Sequence, residues 1–487
     1  MDGFQEFLEK TKTANVVPVV ETIPADLLTP LAVYLKLSAG SQNSFLLESV
    51  EGGESLARYS FIGADPDMIV TGSDESVLVE KTGAFVKMAV PMVEYLRSHF
   101  GKFKIYEEPD LPSFAGGAIG NFGFSCAGWF EKTLKEPSED AEDASLTFYR
   151  SIVAFDHAKQ VIKIISLVFT DQGELEDLYN NALAANKRIK NLLETGFTGL
   201  SHSAKSPEKG PVTSNWTQTE FESAVLTIKE LILAGECYQV VLSQCFSRKT
   251  SASPVAIYCA IRSVNPSPYM FLLKMGEKAI IGASPEMLVR CRGRTLEYRP
   301  IAGTRKRGTT PDEDAALAEE MRLDEKEVAE HLMLVDLGRN DLGRVSEFGS
   351  IRVEGLMSVE KYSHVQHLVS YLYSDLRPDL DGLDALASCF PAGTVSGAPK
   401  VRAIEIIRDL EPTKRGVYAG AVGYLDYAGN MDTCIAIRTL VLEDGVAKIQ
   451  AGAGIVADSV PESEFQETVN KAAALLKAID IAEEQFS

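Results

Sequence analysis

The sequence predicts an α+β protein in which antiparallel strands and helices are both abundant. Short strand and helix signals are mixed from about residue 10 to about residue 190. In the last part of the chain, the turn sequences Ala428-Gly429-Asn430 and Asp444-Gly445 separate three apolar segments, which is typical of an antiparallel meander. These three predicted strands span residues 417–425, 433–442 and 447–455. Amphipathic helices are predicted at residues 175–193 and 462–483.

Composition excludes several classes of protein. The chain has 487 residues, of which 45% are hydrophobic and 24% charged, so it is long enough for more than one domain and reads as soluble and globular. No membrane span and no secretory segment are expected, and a cytoplasmic location is the default. Seven cysteines without a CxxC pair indicate neither disulfides nor zinc. The net charge of −21 argues against nucleic acid but allows a small anionic substrate, because local cations can override it.

The first region, residues 10–195, contains two segments of interest. Residues 43–66 predict two strands around a turn at Glu51–Glu54, and the polar pair Glu48–Ser49 closes the first strand. Taken alone, such a pair is more typical of a strand end than of a binding site. Residues 114–124, FAGGAIGNFGF, do not match GxGxxG, so their glycines indicate closely approaching backbones in a sheet.

Residues 196–215 are rich in Gly, Ser and Pro and predict a linker or surface loop before the second region, residues 216–487. A capping box at Thr217–Glu220 begins a helix that should run to about Ala234. A strand carrying Gln239 follows at residues 238–246. The two prolines of residues 265–271 predict a rigid turn into another strand. Residues 303–308 predict a basic loop before an acidic helix.

The acidic helix is predicted from the segment DEKEVAEHLMLVDLGRND, residues 324–341. Val328, Leu332 and Val335 fall on one apolar stripe at helical period. Glu327 and Glu330 are three residues apart, so their carboxylates share a face and repel each other. A cation would remove this conflict, and oxygen ligands suit Mg²⁺. From this segment alone, a solvated acidic surface is the favoured interpretation.

The last helix carries a matching pair, Glu464 and Glu467, so that two helices could face each other across one Mg²⁺. Residues 358–373 predict one strand with His364 and His367 on opposite faces, which argues against an HxxH metal pair. Arg438 is predicted inside the strand 433–442. Its guanidinium fits a structural ion pair and a clamp on a substrate carboxylate equally well. The residues alone thus indicate an Mg²⁺-dependent enzyme acting on a small polycarboxylate.

A family resemblance sharpens this interpretation. The second half contains, in order over about residues 215–482, strings that include CYQVVLSQ, GASPEML, RPIAGTRKRG, YSHVQHLVS, PAGTVSGAPK, CIAIRT, AGAGIV and ESEFQETVNKA. These strings resemble the chorismate-binding enzymes, and LLES and LARYSFIG extend the likeness into the first region. The resemblance implies an α+β fold with large antiparallel sheets packed together and helices on the outside, which fits the predicted meander.

The resemblance also implies roles for individual residues. Glu330 and Glu467 are expected to ligate Mg²⁺, with Glu327 and Glu464 supporting through water. Glu286 is expected to protonate the departing 4-hydroxyl of chorismate. The remaining expected contacts are the Gly303–Thr304 and Gly452–Gly454 segments at the ring carboxylate, Arg438 and Tyr418 at the enolpyruvyl carboxylate, His367 and Thr394 beside the ring, and Lys471 near the metal-bound carboxylates.

Two positions select a branch of the family. Gln239 stands where water-adding relatives carry a Lys base, and Gln cannot deprotonate water, so ammonia is the expected nucleophile. Ala302 stands where the aminodeoxychorismate-forming branch tends to have Lys. Together, the two positions favour the anthranilate-forming branch, which carries out the first step of tryptophan biosynthesis.

The resemblance implies a reaction in two steps. Ammonia adds at C2 of chorismate, and then a base such as His367 removes the C2 proton and pyruvate leaves. The chain shows no Cys nucleophile with a downstream His-x-Glu, so a separate glutamine amidotransferase subunit should supply ammonia.

Three alternatives stay open at this point: an aminodeoxychorismate-forming enzyme of the folate pathway, an isochorismate-forming relative, and a catalytically silent subunit that binds chorismate or tryptophan. The strings LLES and NPSPYM also resemble the tryptophan feedback site of the anthranilate-forming branch. The residues expected there are Glu48, Ser49, Asn265, Pro268, Tyr269 and Met270. Asn121 and Ser125 depart from the family's usual GYFGYD pattern, which affects the first region only.

Overall fold

The computed structural model describes residues 3–49, 58–135, 143–195, 210–362 and 365–485. It confirms the predicted α+β class, with two large antiparallel sheets and helices around them. The predicted turn at Glu51–Glu54, most of the predicted linker (residues 196–209) and His364 lie outside the described residues.

Several helices begin at a side-chain cap, as the second helix does at Thr29 and the seventh at Ser253. Thr217 and Glu220 form the predicted capping box at the start of the sixth helix. The helices are α1 (Gly3–Thr11), α2 (Pro30–Leu37), α3 (Met92–Phe100), α4 (Ala127–Phe130), α5 (Leu175–Glu194), α6 (Gln218–Leu233), α7 (Pro254–Val264), α8 (Pro311–Leu323), α9 (Glu325–Gly343), α10 (Gly382–Cys389), α11 (Lys400–Leu410) and α12 (Pro461–Gln485).

The strands are short and pair antiparallel throughout the two sheets. They are β1 (Val16–Pro24), β2 (Asn43–Glu48), β3 (Tyr59–Ala64), β4 (Met68–Gly72), β5 (Val77–Lys81), β6 (Ala84–Met88), β7 (Gly117–Phe122), β8 (Ala144–Tyr149), β9 (Ser151–Asp156), β10 (Val161–Phe169), β11 (Thr213–Ser214), β12 (Gln239–Lys249), β13 (Tyr269–Met275), β14 (Lys278–Ser284), β15 (Met287–Arg292), β16 (Thr295–Tyr298), β17 (Ile301–Lys306), β18 (Arg352–Lys361), β19 (Val365–Asp375), β20 (Gly397–Ala398), β21 (Ala421–Asp426), β22 (Met431–Ile435), β23 (Thr439–Glu443) and β24 (Val446–Ile455).

Each sheet mixes strands from both predicted regions. The first sheet runs β1-β10-β9-β3-β2-β13-β14-β23-β24-β12-β11, with β20 beside β12. The second sheet runs β17-β19-β16-β15-β22-β21-β7-β8-β4-β5-β6, with β18 beside β19. The division at residues 196–215 stays a prediction, and it does not correspond to two separate sheets.

The two sheets pack face to face over an aromatic core. The first sheet contributes Phe45, Phe61 and Phe271 to this core. The second sheet contributes Ile119 and Tyr424, and the segment before β7 contributes Phe114. On the outer face of the first sheet, α7 and α12 contribute buried residues such as Ile257 and Ile479. This arrangement removes apolar surface from water on both faces of the sheet, which stabilises it. Among the described residues, no helix is both long and apolar enough to cross a membrane.

The predicted meander is wrong in one respect that matters for the site. The segment predicted as one strand, residues 433–442, is two strands in different sheets: β22 in the second and β23 in the first. The chain crosses between the sheets at residues 436–438, so Arg438 lies in the crossing and not within a strand. Arg438 has a φ of +48°, a left-handed conformation that a non-glycine residue rarely adopts.

Other local predictions also need correction. The range 358–373 includes parts of two strands, β18 and β19, which pair antiparallel with each other. The basic loop predicted at residues 303–308 belongs largely to strand β17. In α9 the buried stripe is His331, Leu334, Val335 and Gly338, whereas Leu332 is 40% exposed. The helix is therefore rotated relative to the predicted stripe of Val328, Leu332 and Val335, because Gly338 allows Tyr298 to approach closely.

The glycines of β7 confirm the expected close approach of backbones. A Cβ placed on Gly120 would overlap the carbonyl oxygen of Ser145 and lie 2.9 Å from the Cα of Leu146 on strand β8. We therefore expect Gly120→Ala to lower the free energy of unfolding by about 1–3 kcal/mol, since backbone atoms must shift. Chemical denaturation measures this loss.

Gly343→Ala is the matched control for this substitution. Gly343 ends α9, and a Cβ there would meet only Ile351 Cδ1, at 3.7 Å. Its stability should stay the same or rise slightly, because Ala favours the helix. Equal stabilities of the two variants would contradict the packing described for β7.

Candidate active site

A cavity of about 750 Å³ opens between α9, α12 and the ends of β12 and β24. It brings together residues that are far apart in the sequence, including most of those expected at the site. The expected residues that line it are Gln239, Glu286, Glu330, Thr394, Tyr418, Arg438, Gly452, Gly454, Glu464, Glu467 and Lys471.

Glu286 is the buried acid of this cavity. It lies in the short connection between β14 and β15, where its backbone N–H donates to Ser284 Oγ and its carbonyl accepts from Ile435 N at 3.0 Å. Burial raises the pKa of Glu286 to about 7, and a hydrogen bond from Thr394 Oγ1 to its Oε1, 3.0 Å long, acts in the opposite direction. Glu286 can therefore hold or give up a proton near neutral pH.

Arg438 presents a guanidinium to the same cavity from the crossing between the two sheets. Its Nη1 donates to Asn265 Oδ1 at 3.0 Å, and no carboxylate among the described residues forms an ion pair with it. Desolvation by the surrounding protein lowers the pKa of Arg438. Of the two interpretations left open by the sequence, the structural ion pair is not observed in the described part of the chain. The guanidinium is available for an anion.

Strand β24 forms one wall of the cavity, and its glycines make room for polar side chains. A Cβ on Gly452 would lie 2.8 Å from Tyr418 Oη, and a Cβ on Gly454 would lie 2.6 Å from Gln239 Nε2. Lys471 on α12 donates to the Gly452 carbonyl at 2.9 Å. Burial raises the pKa of Tyr418 to about 12, so its phenol stays protonated and can donate a hydrogen bond.

The predicted acidic residues face one another from α9 and α12. Glu330 is exposed to the cavity, yet desolvation and the charges of Glu327 and Glu467 raise its pKa. Glu467 is paired with Lys471 at 2.6 Å, and Glu327 with Arg305 at 2.9 Å. As they stand, no three His, Cys, Asp or Glu side chains in the described ranges surround a common metal position. The donor set still fits Mg²⁺, because hard oxygen ligands and unrelieved repulsion between carboxylates favour such a cation.

Four expected residues form a neighbouring group that does not line the cavity: Gly303, Thr304, Glu327 and His367. His367 Nδ1 lies 2.8 Å from the Gly303 carbonyl and 3.1 Å from Thr304 Oγ1. Burial lowers the pKa of His367, and the charge of nearby Arg438 lowers it further. Because a carbonyl can only accept, the contact with Gly303 assigns the proton to Nδ1 and leaves Nε2 as the basic nitrogen.

A second, narrow cavity of about 80 Å³ holds five of the six residues expected at the tryptophan site. These are Glu48, Ser49, Pro268, Tyr269 and Met270. The sixth, Asn265, instead contacts Arg438 and lines a groove beside the first cavity. Burial raises the pKa of Glu48, whose carboxylate accepts from Tyr258 and lies 3.8 Å from Arg262. Ser49 Oγ is buried without a hydrogen-bond partner among the described residues.

Sequence reasoning missed two supporting cations. Lys326 lines the first cavity and lowers the pKa of Glu330, opposing the acidic neighbours, and the i,i+4 spacing of Lys326 and Glu330 was the available signal. Arg415 is buried against Glu411 at 2.6 Å and lies 5.5 Å from the ring centre of Tyr418. Glu411 and Arg415 are also four apart, but no sequence pattern indicates that Arg415 supports Tyr418.

Comparison with known proteins identifies the family of this chain. A family model described as chorismate binding enzyme matches residues 30–477. The chain is 47% identical to anthranilate synthase component 1 of Acetivibrio thermocellus over 481 residues, which covers 97% of each chain. Among solved structures, it resembles anthranilate synthase component I from Streptococcus pneumoniae TIGR4 with a TM-score of 0.73 and 36% identity, covering 93% of this chain and 99% of that one.

A more distant likeness supports the fold alone. The menaquinone-specific isochorismate synthase MenF from Escherichia coli matches with a TM-score of 0.71 at 21% identity, covering 98% of each chain.

The family model and the relative from Acetivibrio thermocellus show that the chain belongs to the chorismate binding enzyme family and is a catalytic enzyme. Within that family it falls in the anthranilate synthase component 1 group.

The hydrogen bond between Thr394 and Glu286 predicts a measurable change in acidity. Thr394→Val removes the donor that stabilises the Glu286 carboxylate, so the pKa of Glu286 should rise above its value of about 7. Infrared difference spectra against Glu286→Gln follow the protonated carboxyl group across pH. Thr394→Ser keeps the hydroxyl and should leave the midpoint unchanged. An identical midpoint in Thr394→Val and wild type would contradict the assignment.

Proposed function

We propose that this enzyme converts chorismate and ammonia to anthranilate, pyruvate and water, with Mg²⁺ as cofactor and tryptophan as feedback inhibitor. The observation that carries the proposal is one cavity that holds both Glu286, with a pKa of about 7, and the guanidinium of Arg438, unpaired with any carboxylate in the described residues. A dianion that must lose a hydroxyl group needs both. The names of the relatives support the same reaction.

Chorismate carries two carboxylates, and the cavity offers a separate partner for each. Arg438 and the phenol of Tyr418 suit the enolpyruvyl carboxylate, because a guanidinium binds a carboxylate with two parallel hydrogen bonds. The ring carboxylate suits Lys471 and the metal that the acidic residues of α9 and α12 would hold. The proposal requires that the 4-hydroxyl of the ring then lies beside Glu286, which lines the same cavity.

In the first step, ammonia forms a bond to C2, both ring double bonds shift (C1=C2 to C6=C1 and C5=C6 to C4=C5), and the C4–O bond breaks. Protonated Glu286 gives its proton to the leaving hydroxyl, which departs as water. The raised pKa of Glu286 keeps that proton available near neutral pH. Gln239 lines the cavity where a Lys base would activate water, and an amide cannot do so, which favours ammonia as nucleophile.

In the second step, a base removes the C2 proton, the ether bond at C3 breaks, and enolpyruvate takes up a proton to leave as pyruvate. Neutral His367 suits the role of base, because burial keeps its pKa low and the Gly303 carbonyl leaves Nε2 free. His367 lies in the neighbouring group with Gly303 and Thr304, so the proposal requires a bound substrate that extends to its imidazole. Formation of the aromatic ring makes this step strongly downhill.

Glu330 and Glu467 would hold Mg²⁺, with Glu327 and Glu464 beside them. When bound, Mg²⁺ supplies positive charge that neutralises the ring carboxylate and these side chains. In the protein alone, Lys471 and Arg305 partly fulfil this role by pairing with Glu467 and Glu327.

We also propose a glutamine amidotransferase subunit as the source of ammonia, since "component 1" in the names of the relatives implies a second component. Both subunits would act in the cytoplasm. Tryptophan is proposed to bind in the second cavity, with its ammonium group at Glu48 and its indole against Pro268 and Met270. Because that cavity is about 80 Å³, well below the roughly 300 Å³ usual for ligands, binding must displace part of its wall.

Product analysis of the purified chain tests the reaction directly. We expect chorismate, Mg²⁺ and ammonium at mildly alkaline pH to give anthranilate and pyruvate in equal amounts, followed by fluorescence and mass spectrometry. An aminated product that keeps its enolpyruvyl group would overturn the assignment in favour of aminodeoxychorismate. If the chain binds chorismate but does not turn it over in the presence of Mg²⁺, the assignment is overturned in favour of a catalytically silent subunit.

The metal assignment predicts that Glu330→Gln weakens Mg²⁺ binding by at least about 10–100-fold, because one charged oxygen ligand is lost. Replacement of Mg²⁺ by Mn²⁺ allows affinity to be measured by electron paramagnetic resonance, independently of turnover. Glu325→Gln, at the exposed start of the same helix, is the control and should bind Mn²⁺ as wild type does. Equal affinities in all three proteins would remove Glu330 from the metal site.

The second cavity predicts that Ser49→Leu abolishes inhibition by tryptophan while sparing turnover, because the larger side chain fills the space beside Glu48. Ser49→Ala removes only the unpartnered hydroxyl and should shift inhibition to a smaller extent. Inhibition curves at fixed chorismate concentration measure both effects. A curve for Ser49→Leu that overlays wild type would place tryptophan elsewhere.

A further inference from the structure

Helix α7 lies between the two cavities and has polar contacts with residues of each. Tyr258 and Arg262, both on α7, contact the Glu48 carboxylate in the second cavity: Tyr258 Oη donates to Glu48 Oε2, and Arg262 Nη2 lies 3.8 Å from Oε1. Asn265 caps the C-terminal end of the same helix, where its backbone N–H donates to Ile261 at 2.8 Å. A short helix moves as a rigid unit, so these contacts are mechanically linked.

At the C-terminal end of α7, Asn265 contacts Arg438, whose guanidinium lines the first cavity. Asn265 Oδ1 accepts from Arg438 Nη1 at 3.0 Å, and it is the one side-chain hydrogen-bond partner of this guanidinium within the described ranges. Because Arg438 has no carboxylate partner there, this single contact holds Nη1 at a neutral amide and does not cancel the charge of the guanidinium.

A second connection runs through the backbone of the first sheet. Glu48 lies opposite Met270 on β13, and Met270 lies opposite Ala283 on β14. The Ala283 N–H then donates to the Arg438 carbonyl at 3.1 Å. Glu48 and Met270 line the second cavity, so the backbone of Arg438 is connected to that cavity through two strand pairings, and its side chain through α7.

We propose that Asn265 is a positioning residue that orients Arg438 for the substrate carboxylate and, through α7, couples that orientation to occupancy of the Glu48 cavity. The coupling part rests on the proposed binding of tryptophan. A ligand ammonium at Glu48 competes with Tyr258 and Arg262 for the carboxylate, and the resulting shift of α7 carries Asn265 away from Arg438. Asn265 does not line the second cavity in this structure, and its side chain contacts Arg438 instead.

Two substitutions separate orientation from charge. Asn265→Ala removes the acceptor and should raise KM for chorismate about tenfold, the usual effect of losing a hydrogen bond to a charged group, with little change in kcat. Asn265→Asp keeps an acceptor of the same size but adds a carboxylate that pairs with Arg438, so it should raise KM further. If Asn265 only held the end of α7 in place, Asn265→Asp would keep KM for chorismate near the wild-type value. Asn470→Ala is the control, because Asn470 lines the same groove but contacts Gln466.

The coupling is measured by titrating tryptophan with and without chorismate, since linkage requires each ligand to change the affinity of the other by the same factor. In Asn265→Ala this factor should fall towards one while tryptophan affinity in the absence of chorismate stays within about twofold of wild type. Unchanged KM and an unchanged coupling factor in Asn265→Ala would overturn the proposal.

The wild-type protein distinguishes this outcome from failure of the proposed function. If wild type makes anthranilate and is inhibited by tryptophan, the proposed function holds and only the role of Asn265 is under test. If wild type turns over without binding tryptophan, the coupling is overturned, and the KM values of the two Asn265 variants alone support or overturn the orientation of Arg438.

Discussion

The site depends on keeping a guanidinium charged, oriented and free of any counter-charge. Arg438 meets this requirement because it lies where the chain passes from one sheet to the other, in a left-handed conformation that few residues adopt. Its backbone is held by Ala283 and its side chain by a neutral amide, Asn265. A nearby carboxylate would make the same residue an ordinary structural ion pair.

The acidic residues of α9 and α12 pose the converse electrostatic problem. The charges of Glu327 and Glu467 raise the pKa of Glu330, and the cations Lys326 and Lys471 offset this effect only in part. Lys471 is paired with Glu467, and Arg305 with Glu327. Glu286 lines the same cavity, where burial raises its pKa and the hydrogen bond from Thr394 acts in the opposite direction. One cavity of about 750 Å³ thus combines a guanidinium, a group of carboxylates and a buried acid, which are the groups that a dianionic substrate losing a hydroxyl group requires.

The sequence predicted much of this, because periodicity, caps and the family strings identify elements and residues locally. The α+β class, the capping box at Thr217 and the close approach at Gly120 are confirmed. Alternation within residues 433–442 could not reveal that two sheets share the segment, since Arg438 is not a glycine and gives no sign of its left-handed φ. The resemblance of NPSPYM to the family's feedback site predicts Asn265 beside tryptophan, and it gives no sign that the Asn265 amide contacts Arg438.

Chemical rescue of Arg438→Ala tests the central claim most directly. The variant should lose at least about tenfold in kcat/KM for chorismate, since a charge-assisted contact is removed, and added guanidinium ion should restore part of that loss by occupying the vacated position. Methylammonium at the same ionic strength should restore less, because it lacks the planar pair of donors. An unchanged kcat/KM in Arg438→Ala would contradict the claim that this guanidinium binds a substrate carboxylate.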